Sequence, residues 1–333
     1  MRPPILAAAR PRPHGPAPGP PRCYDSAVVA DVDLSFARYV AARKGAASAR
    51  AREGAQYAYG ADLRVRTALD RLRPVTLAVE ATLRFWHTVG KNKLLGSAVR
   101  VSERQFPAIN TLVRSCAETL QLRPPTVYVS PQLGGLGVRT LGGADDAIIL
   151  LGAGLIDQLS EPELQFIIGR ECGHIQNGHT VYLTALYFLG KSANMIVRWG
   201  SQPAIIALNG WSRRAEITAD RAGLLCARDV AVATGVLVKL AIGSRKVFGN
   251  IDVDEYLKQL EESGAGPGRF HELLSRQPYL PKRVHALRLF AETTYFRSVI
   301  GTSSGGPGGA AVPAGTSKEE CDAKVAELLA VFR

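Results

Sequence analysis

An apolar run, Ala147-Ile148-Ile149-Leu150-Leu151, is followed within ten residues by a strongly marked helix start. Ser160 and Glu163 have the spacing of a capping box, and Pro162 suits a first helical turn. The run reads as the best buried strand of the chain, and the helix should continue to about Asn177. That helix carries Arg170, Glu171 and His174 in its middle. Residues four apart on a helix lie about 40° apart around its axis, so positions 170 and 174 share a face. Cys172, about 200° from Arg170, should point to the packing side as a small apolar group.

The segment Arg170-Glu171-Cys172-Gly173-His174 differs in one letter from His-Glu-x-x-His, in which two imidazoles grip zinc and the glutamate activates the metal-bound water. Arginine cannot replace the first imidazole: its guanidinium stays protonated above about pH 12 and offers no lone pair. A site with two ligands on one helix needs a third from elsewhere. The downstream segment Trp211-Ser212-Arg213-Arg214-Ala215-Glu216-Ile217-Thr218-Ala219-Asp220 can supply one. Glu216 offers a carboxylate ligand, and Asp220, one turn later, an acceptor that orients the ligands.

Gly-x-Glu-x-Gly-His followed by Ser-Arg-x-x-Glu-x-x-Ala-Asp resembles the HtpX and CAAX prenyl protease family of zinc metallopeptidases, peptidase family M48, with a gluzincin fold. The likeness runs from about Lys93 to Phe290 and takes in Pro125-Thr126-Val127-Tyr128-Val129, Gly154-Leu155-Ile156 before Glu163-Leu164, and Pro281-Lys282-Arg283-Val284 with Leu287. The resemblance implies that Glu171 is the general base, that His174 and Glu216 are zinc ligands, that Asp220 orients a ligand, and that position 170 completes the metal triad.

Three departures from the family pattern fall on this site. Arg170 stands where a histidine ligand belongs. Leu136-Gly137-Val138, or residues near them, replace the Asn-Ala of the edge strand that holds substrate backbone. Gln277 of Arg276-Gln277-Pro278 replaces a histidine before the closing helix. Without zinc, Glu171, Glu216 and Asp220 would repel one another and need a cation. The expectation is that the Arg170 guanidinium occupies the metal position and pairs with Glu216 or Asp220. Arg170, Arg213 and Gln277 are the candidate binding residues. The function expected is a pseudopeptidase that binds a peptide or an unfolded protein segment.

Two other readings stand beside it. A working zinc metalloendopeptidase would need a replacement ligand. His179 is the nearest, about 140° round the helix from His174 and on the wrong side unless the helix ends early. His271 and His285 read as surface or core residues. Alternatively a basic N-terminal tail docks on anionic membrane or nucleic acid. The net charge is +12, and residues 1–72 hold twelve Lys/Arg against six Asp/Glu, but there is no aromatic-basic alternation to suggest specific nucleic-acid binding.

Five cysteines without a Cys-x-x-Cys pair argue against a disulfide scaffold and point to a reducing cytoplasm. The apolar stretch Val181–Trp211 is broken by Lys191, Arg198 and Pro203, so it reads as two packed helices; membrane contact is possible without spanning. The glycine-rich piece Gly134–Gly143 lacks a Gly-Lys-Ser/Thr ending and reads as a hairpin or irregular edge. A single helix is expected over Pro281–Ser298. The chain divides into a Pro/Ala/Arg-rich tail (1–24), a helical region (25–92), a metallopeptidase-like domain (93–300), a Gly/Ser/Pro linker (301–316) and an amphipathic helix (317–333). Many helices and few short strands make the fold α+β, predominantly helical, with a small sheet beside the active-site helix.

Overall fold

The computed structural model describes residues 55–191, 201–263, 275–301 and 315–330. The expected tail, most of the linker and His271 lie outside these residues, as does the stretch after Lys191 that was read as helix. What is described is mostly helix around one small mixed sheet, the α+β architecture expected.

Helices α1 (Gly60–Leu69) and α2 (Arg73–Phe85) come first; α2 continues through a π-helical turn, Trp86–Gly90, into the short α3 (Lys91–Leu95). Strand β1 (Val99–Arg100), helix α4 (Pro107–Thr119) and strands β2 (Thr126–Ser130), β3 (Val138–Leu141) and β4 (Ile148–Gly152) follow. Strand order is β1-β2-β4-β3, with β2 and β4 parallel and the outer pairs antiparallel. The glycine-rich piece therefore closes a hairpin whose first arm, β3, ends the sheet. The side-chain period of two sends β4 into two cores. Ile149 and Leu151 join the main core with Val127, Val129, Ile167 and Ile168, while Ile148 and Leu150 meet Trp86 and Tyr187.

After β4 come α5 (Ala153–Gln158), which had not been anticipated, and α6 (Glu161–Gln176). The capping residue works as its spacing suggests: the Ser160 amide donates to Glu163 Oε2 at 2.8 Å. Glu163 also pairs with Lys239 at 2.6 Å, tying α6 to α9 (Val230–Ile242). Between them lie α7 (Thr180–Lys191) and the 26-residue α8 (Gln202–Ala227). Trp211, on α8, is buried inside the protein, its Nε1 donating to Asp62 at 2.9 Å.

Among the described residues helices α6 and α8 make the most extensive helix contact. Glycines permit this approach. A Cβ on Gly169 would meet Cys226 Sγ at 2.8 Å, and one on Gly223 would meet Arg170 Cγ at 2.7 Å and the Phe166 carbonyl at 2.8 Å. The two helices thus lie close enough for Arg170 to reach the carboxylates of α8. Cys172 is fully buried on the packing side, as its angle predicts.

The remaining helices are α10 (Arg245–Phe248), α11 (Val253–Ser263), α12 (Leu280–Ala291), α13 (Thr294–Gly301) and α14 (Lys318–Leu329). The single helix expected over Pro281–Ser298 is two. Thr293 Oγ1 accepts from the Phe296 amide at 3.2 Å and starts a new helix, while the Thr294 amide turns aside to the Thr316 carbonyl at 3.1 Å. Helix α14 buries Cys321 and Val325 in the main core. Its Asp322 takes Arg221 Nη1 of α8 at 2.7 Å and the Gly60 amide of α1 at 2.9 Å. Arg221 is itself fully buried, with its guanidinium 4.9 Å from the centre of the Phe290 ring.

A buried guanidinium cluster at the candidate site

Arg170 is 3% exposed and sits between α6 and α8. Its Nη2 donates to Glu216 Oε2 at 2.5 Å and its Nε to Asp220 Oδ1 at 2.7 Å, so it takes both of the carboxylates between which its expected pairing was left open. The Glu171 carboxylate lies 3.6 Å from Arg170 Nη1 and accepts from Thr140 Oγ1, on β3, at 2.7 Å. Arg283 of α12 completes the cluster. Its Nε and Nη2 clasp Asp220 at 2.8 and 2.7 Å, and Nη2 stands 3.5 Å from Glu216.

Two guanidinium groups therefore face three carboxylates. Burial opposes a charged Asp220, but Arg283 and Arg170 outweigh it and hold that carboxyl below its usual range. Burial likewise opposes the Arg170 charge, and Glu216, Asp220 and Glu171 together raise its pKa despite this. Glu171 goes the other way. Burial pushes it above the usual carboxylate range, and Arg170 and the Thr140 hydroxyl only partly compensate. Glu171 is thus the carboxylate of the five-group cluster that burial drives toward its neutral form.

The end of α6 brings in residues from elsewhere. Gly178 adopts φ +68°, the Gly178 amide reaches Ile175 O at 3.1 Å and the His179 amide reaches His174 O at 2.9 Å, a Schellman ending. The helix stops at Gln176, so His179 does not continue round the barrel of side chains. It folds back with Nδ1 2.9 Å from Nδ1 of His174. Its Nε2 faces Asp62 of α1 at 2.9 Å, and Asp62 also accepts from Thr218 Oγ1 at 2.7 Å. Burial opposes the Asp62 charge, but His179 and Thr218 hold its carboxyl below the usual range.

Burial, followed by the neighbouring His179, Arg170 and Arg283, keeps His174 well below the usual imidazole range and hence neutral. His179 thus bridges the two groups, Nε2 toward Asp62 and Nδ1 toward His174. The other nitrogen of His174, Nε2, stands 3.8 Å from Glu216 Oε1.

Six of these groups, Arg170, Glu171, His174, Glu216, Asp220 and Arg283, meet in one buried cluster. Two sequence-derived candidates lie outside it. Arg213 Nη1 donates to the Ser275 carbonyl at 2.9 Å, pinning the segment before α12. Gln277 is exposed and reaches the cluster only at its rim, with Oε1 3.5 Å from Arg283 Nη1. His285 lies at the surface against Glu261. Asp62, Thr140 and Thr218 had no local signal, being single polar residues on separate elements. Arg283 was flagged only through the family's closing helix.

Zinc needs at least three lone-pair donors converging on one point. Among the described residues no three His, Cys, Asp or Glu side chains are so grouped, and donors of Arg170 occupy the oxygens a cation would take. The residues present do not fit the metal.

Comparison with known proteins gives the same lineage as the motifs. The description Peptidase family M48 matches residues 103–291. The "Plastoglobule-localized metallopeptidase 48, chloroplastic" of Arabidopsis thaliana is 34% identical over 170 residues, 50% of this chain and 49% of its own length. A "Protease HtpX homolog" of Moorella thermoacetica is 29% identical over 107 residues, 31% of this chain and 36% of the relative. "Protease HtpX homolog 1" of Streptomyces coelicolor is 27% identical over 181 residues, 46% and 57% of the two chains. The chain spans about half the length of the curated relatives it matches. No solved structure matches it.

Proposed function

The chain belongs to peptidase family M48, whose members are generally zinc-dependent metallopeptidases, and we propose that it has kept the family's fold as a binding protein while giving up metal-dependent proteolysis. The observation that carries this reading is the Arg170 guanidinium, buried and bonded to Glu216 and Asp220. A guanidinium donates where a metal ion would accept, so Glu216 serves as an anion to a fixed cation and not as a ligand. Glu171, the family's general base, is tied instead to Thr140 and Arg170.

The ligand proposed is an extended peptide or unfolded protein segment. Among the described residues strand β3 has a sheet neighbour on one side only, and its Thr140 contacts the cluster. A strand added to that end of the sheet would follow the usual geometry of β-augmentation. The four cysteines among the described residues are free and buried, which supports a reducing compartment, the cytoplasm.

The competing reading, a zinc endopeptidase with a substitute ligand, draws on His179 lying 2.9 Å from His174. It is weakened by the direction of His179, whose Nδ1 faces the Nδ1 of His174, whereas the His174 nitrogen toward Glu216 is Nε2. Protein purified without added metal should carry far less than one zinc per chain, bind reduced carboxymethylated casein and leave it uncleaved. Stoichiometric zinc with chelator-sensitive cleavage that Glu171→Gln abolishes would instead establish the enzyme.

A further inference from the structure

Helix α2 is apolar on two sides. Its inner stripe, Val75, Val79, Leu83 and Trp86, is buried against α7, α8 and the sheet. A second stripe runs along the outside. Leu77, Ala81, Phe85 and Val89 follow one another at intervals of four and are all exposed, Leu77 by 53%, Phe85 by 43% and Val89 by 50%. The π-helical turn Trp86–Gly90 extends the row, because its wider winding keeps Trp86 inward while Val89 stays outward. From Leu77 to Val89 the row covers about 18 Å. Leu72, just before α2, adds another exposed apolar side chain.

The charges around this stripe are mostly positive. Residues 71–100 contain six Lys/Arg and a single acidic residue, Glu80. Arg71, Arg73, Arg84 and Lys93 are exposed. Of the six, only Lys91 is ion-paired to a carboxylate among the described residues, Asp146 at 3.3 Å. Arg73 and Arg84 lie within about 40° of Leu77 around the helix axis, so their long stems can lie beside the apolar row with their charges spread outward.

We propose that the outer face of α2 and its π-helical extension docks this protein, in plane, on an anionic lipid surface. A helix face is convex and its apolar residues form a single row, which suits a fluid boundary that closes around each side chain. The cations beside the row meet negative headgroups at the depth where the apolar side chains enter the acyl region. Among the described residues no helix is long and apolar enough to cross a membrane, so the contact is peripheral. This face is separate from the Arg170 cluster, and the proposal does not depend on whether the protein is an enzyme.

Co-sedimentation with phosphatidylcholine vesicles, with and without phosphatidylglycerol, tests it on the full chain. The wild type should bind only the vesicles containing phosphatidylglycerol and dissociate as salt is raised. Leu77→Ser with Val89→Ser should weaken binding at least about tenfold, and Arg73→Gln with Arg84→Gln should weaken it and flatten its salt dependence. Both pairs are exposed, so unchanged thermal unfolding will show that the fold is kept. The proposal is overturned if the wild type ignores anionic vesicles, or if the Leu77/Val89 variant binds them like the wild type. It is equally overturned if deletion of residues 1–22 alone abolishes binding, which would make the tail the anchor. Wild-type dimers that the Leu77/Val89 variant dissociates, without vesicle binding, would assign the face to a second copy of the chain.

Discussion

Replacing Arg170 with histidine should convert an internal ion pair into a metal requirement. The substitution removes the 2.5 Å partner of Glu216 and one of three bonds to Asp220. Asp220 keeps both bonds from Arg283, whereas Glu216 is left with Arg283 at 3.5 Å and His174 at 3.8 Å. Breaking a buried ion pair costs about 3–5 kcal/mol, and the surviving Arg283 contacts place this case near 3. For a chain of 333 residues that lowers Tm by about 4 °C. The new imidazole stands one turn before His174, whose Nε2 already faces Glu216, so three donors become available for zinc. At a hundredfold excess over its Kd, zinc should return about 2.7 kcal/mol, nearly the whole loss. Melting curves of wild type and Arg170→His in chelator and in graded zinc, with metal content determined alongside, give the comparison. The variant should melt early in chelator and recover with zinc, while the wild type ignores both. A variant as stable as wild type in chelator, or a wild type that zinc stabilises equally, refutes the reasoning.

Gly223→Ala should destabilise the protein by about 1–3 kcal/mol in urea titrations, because the added methyl meets Arg170 Cγ and the Phe166 carbonyl. Asp62→Ala should cost about 3–5 kcal/mol on the same assay, since Asp62 gathers His179, Trp211 and Thr218 in a buried position. Glu171→Gln carries a pH signature. Burial raises the folded pKa of Glu171, so its contribution to stability is fully present below the ordinary carboxylate value of about 4 and is lost as pH rises through the raised folded value. The glutamine variant should therefore unfold at higher urea than wild type at neutral pH and converge with it in acid; a constant difference across pH would count against a perturbed Glu171.

The cluster was legible where helical spacing carries the information. Arg170, His174, Glu216 and Asp220 lie on two helices, and separation along a helix fixes which side chains share a face. The same rule failed for His179, because a Schellman turn at Gly178 replaced the helical angle with a reversal. The helix end near Asn177 was legible, but the direction the chain takes beyond Gly178 was not. Asp62 lies 117 positions before His179 (179 − 62) and belongs to no local pattern; it reaches the site only because α1 packs on α8.

 The residues it joins, His179, Trp211 and Thr218, lie more than a hundred positions further along the chain, so no window of sequence holds the set together. The break between α12 and α13 was hidden for a similar reason: it is made by Thr316, which reaches Thr294 from the far side of the linker. The strands and the capped start of α6 needed no such distant partner, and their positions follow from alternation and capping chemistry alone.

The contact between Asp322 and Arg221 sets the order in which this protein can finish folding. Arg221 is separated from its counter-charge by 101 positions (322 − 221), and Gly60 from the same carboxylate by 262. At synthesis rates of about 5–20 residues per second, the interval before Asp322 follows Arg221 is about 5–20 s. Until then α8 carries a cation beside the Phe290 and Tyr59 rings with no anion to meet it, and the surface that α14 will cover stays wet. The domain therefore closes from the end of the chain backwards onto its beginning. A message cut short before Ser317 would yield a protein with its peptidase-like cluster fully encoded and its core still open, a natural substrate for chaperones and degradation.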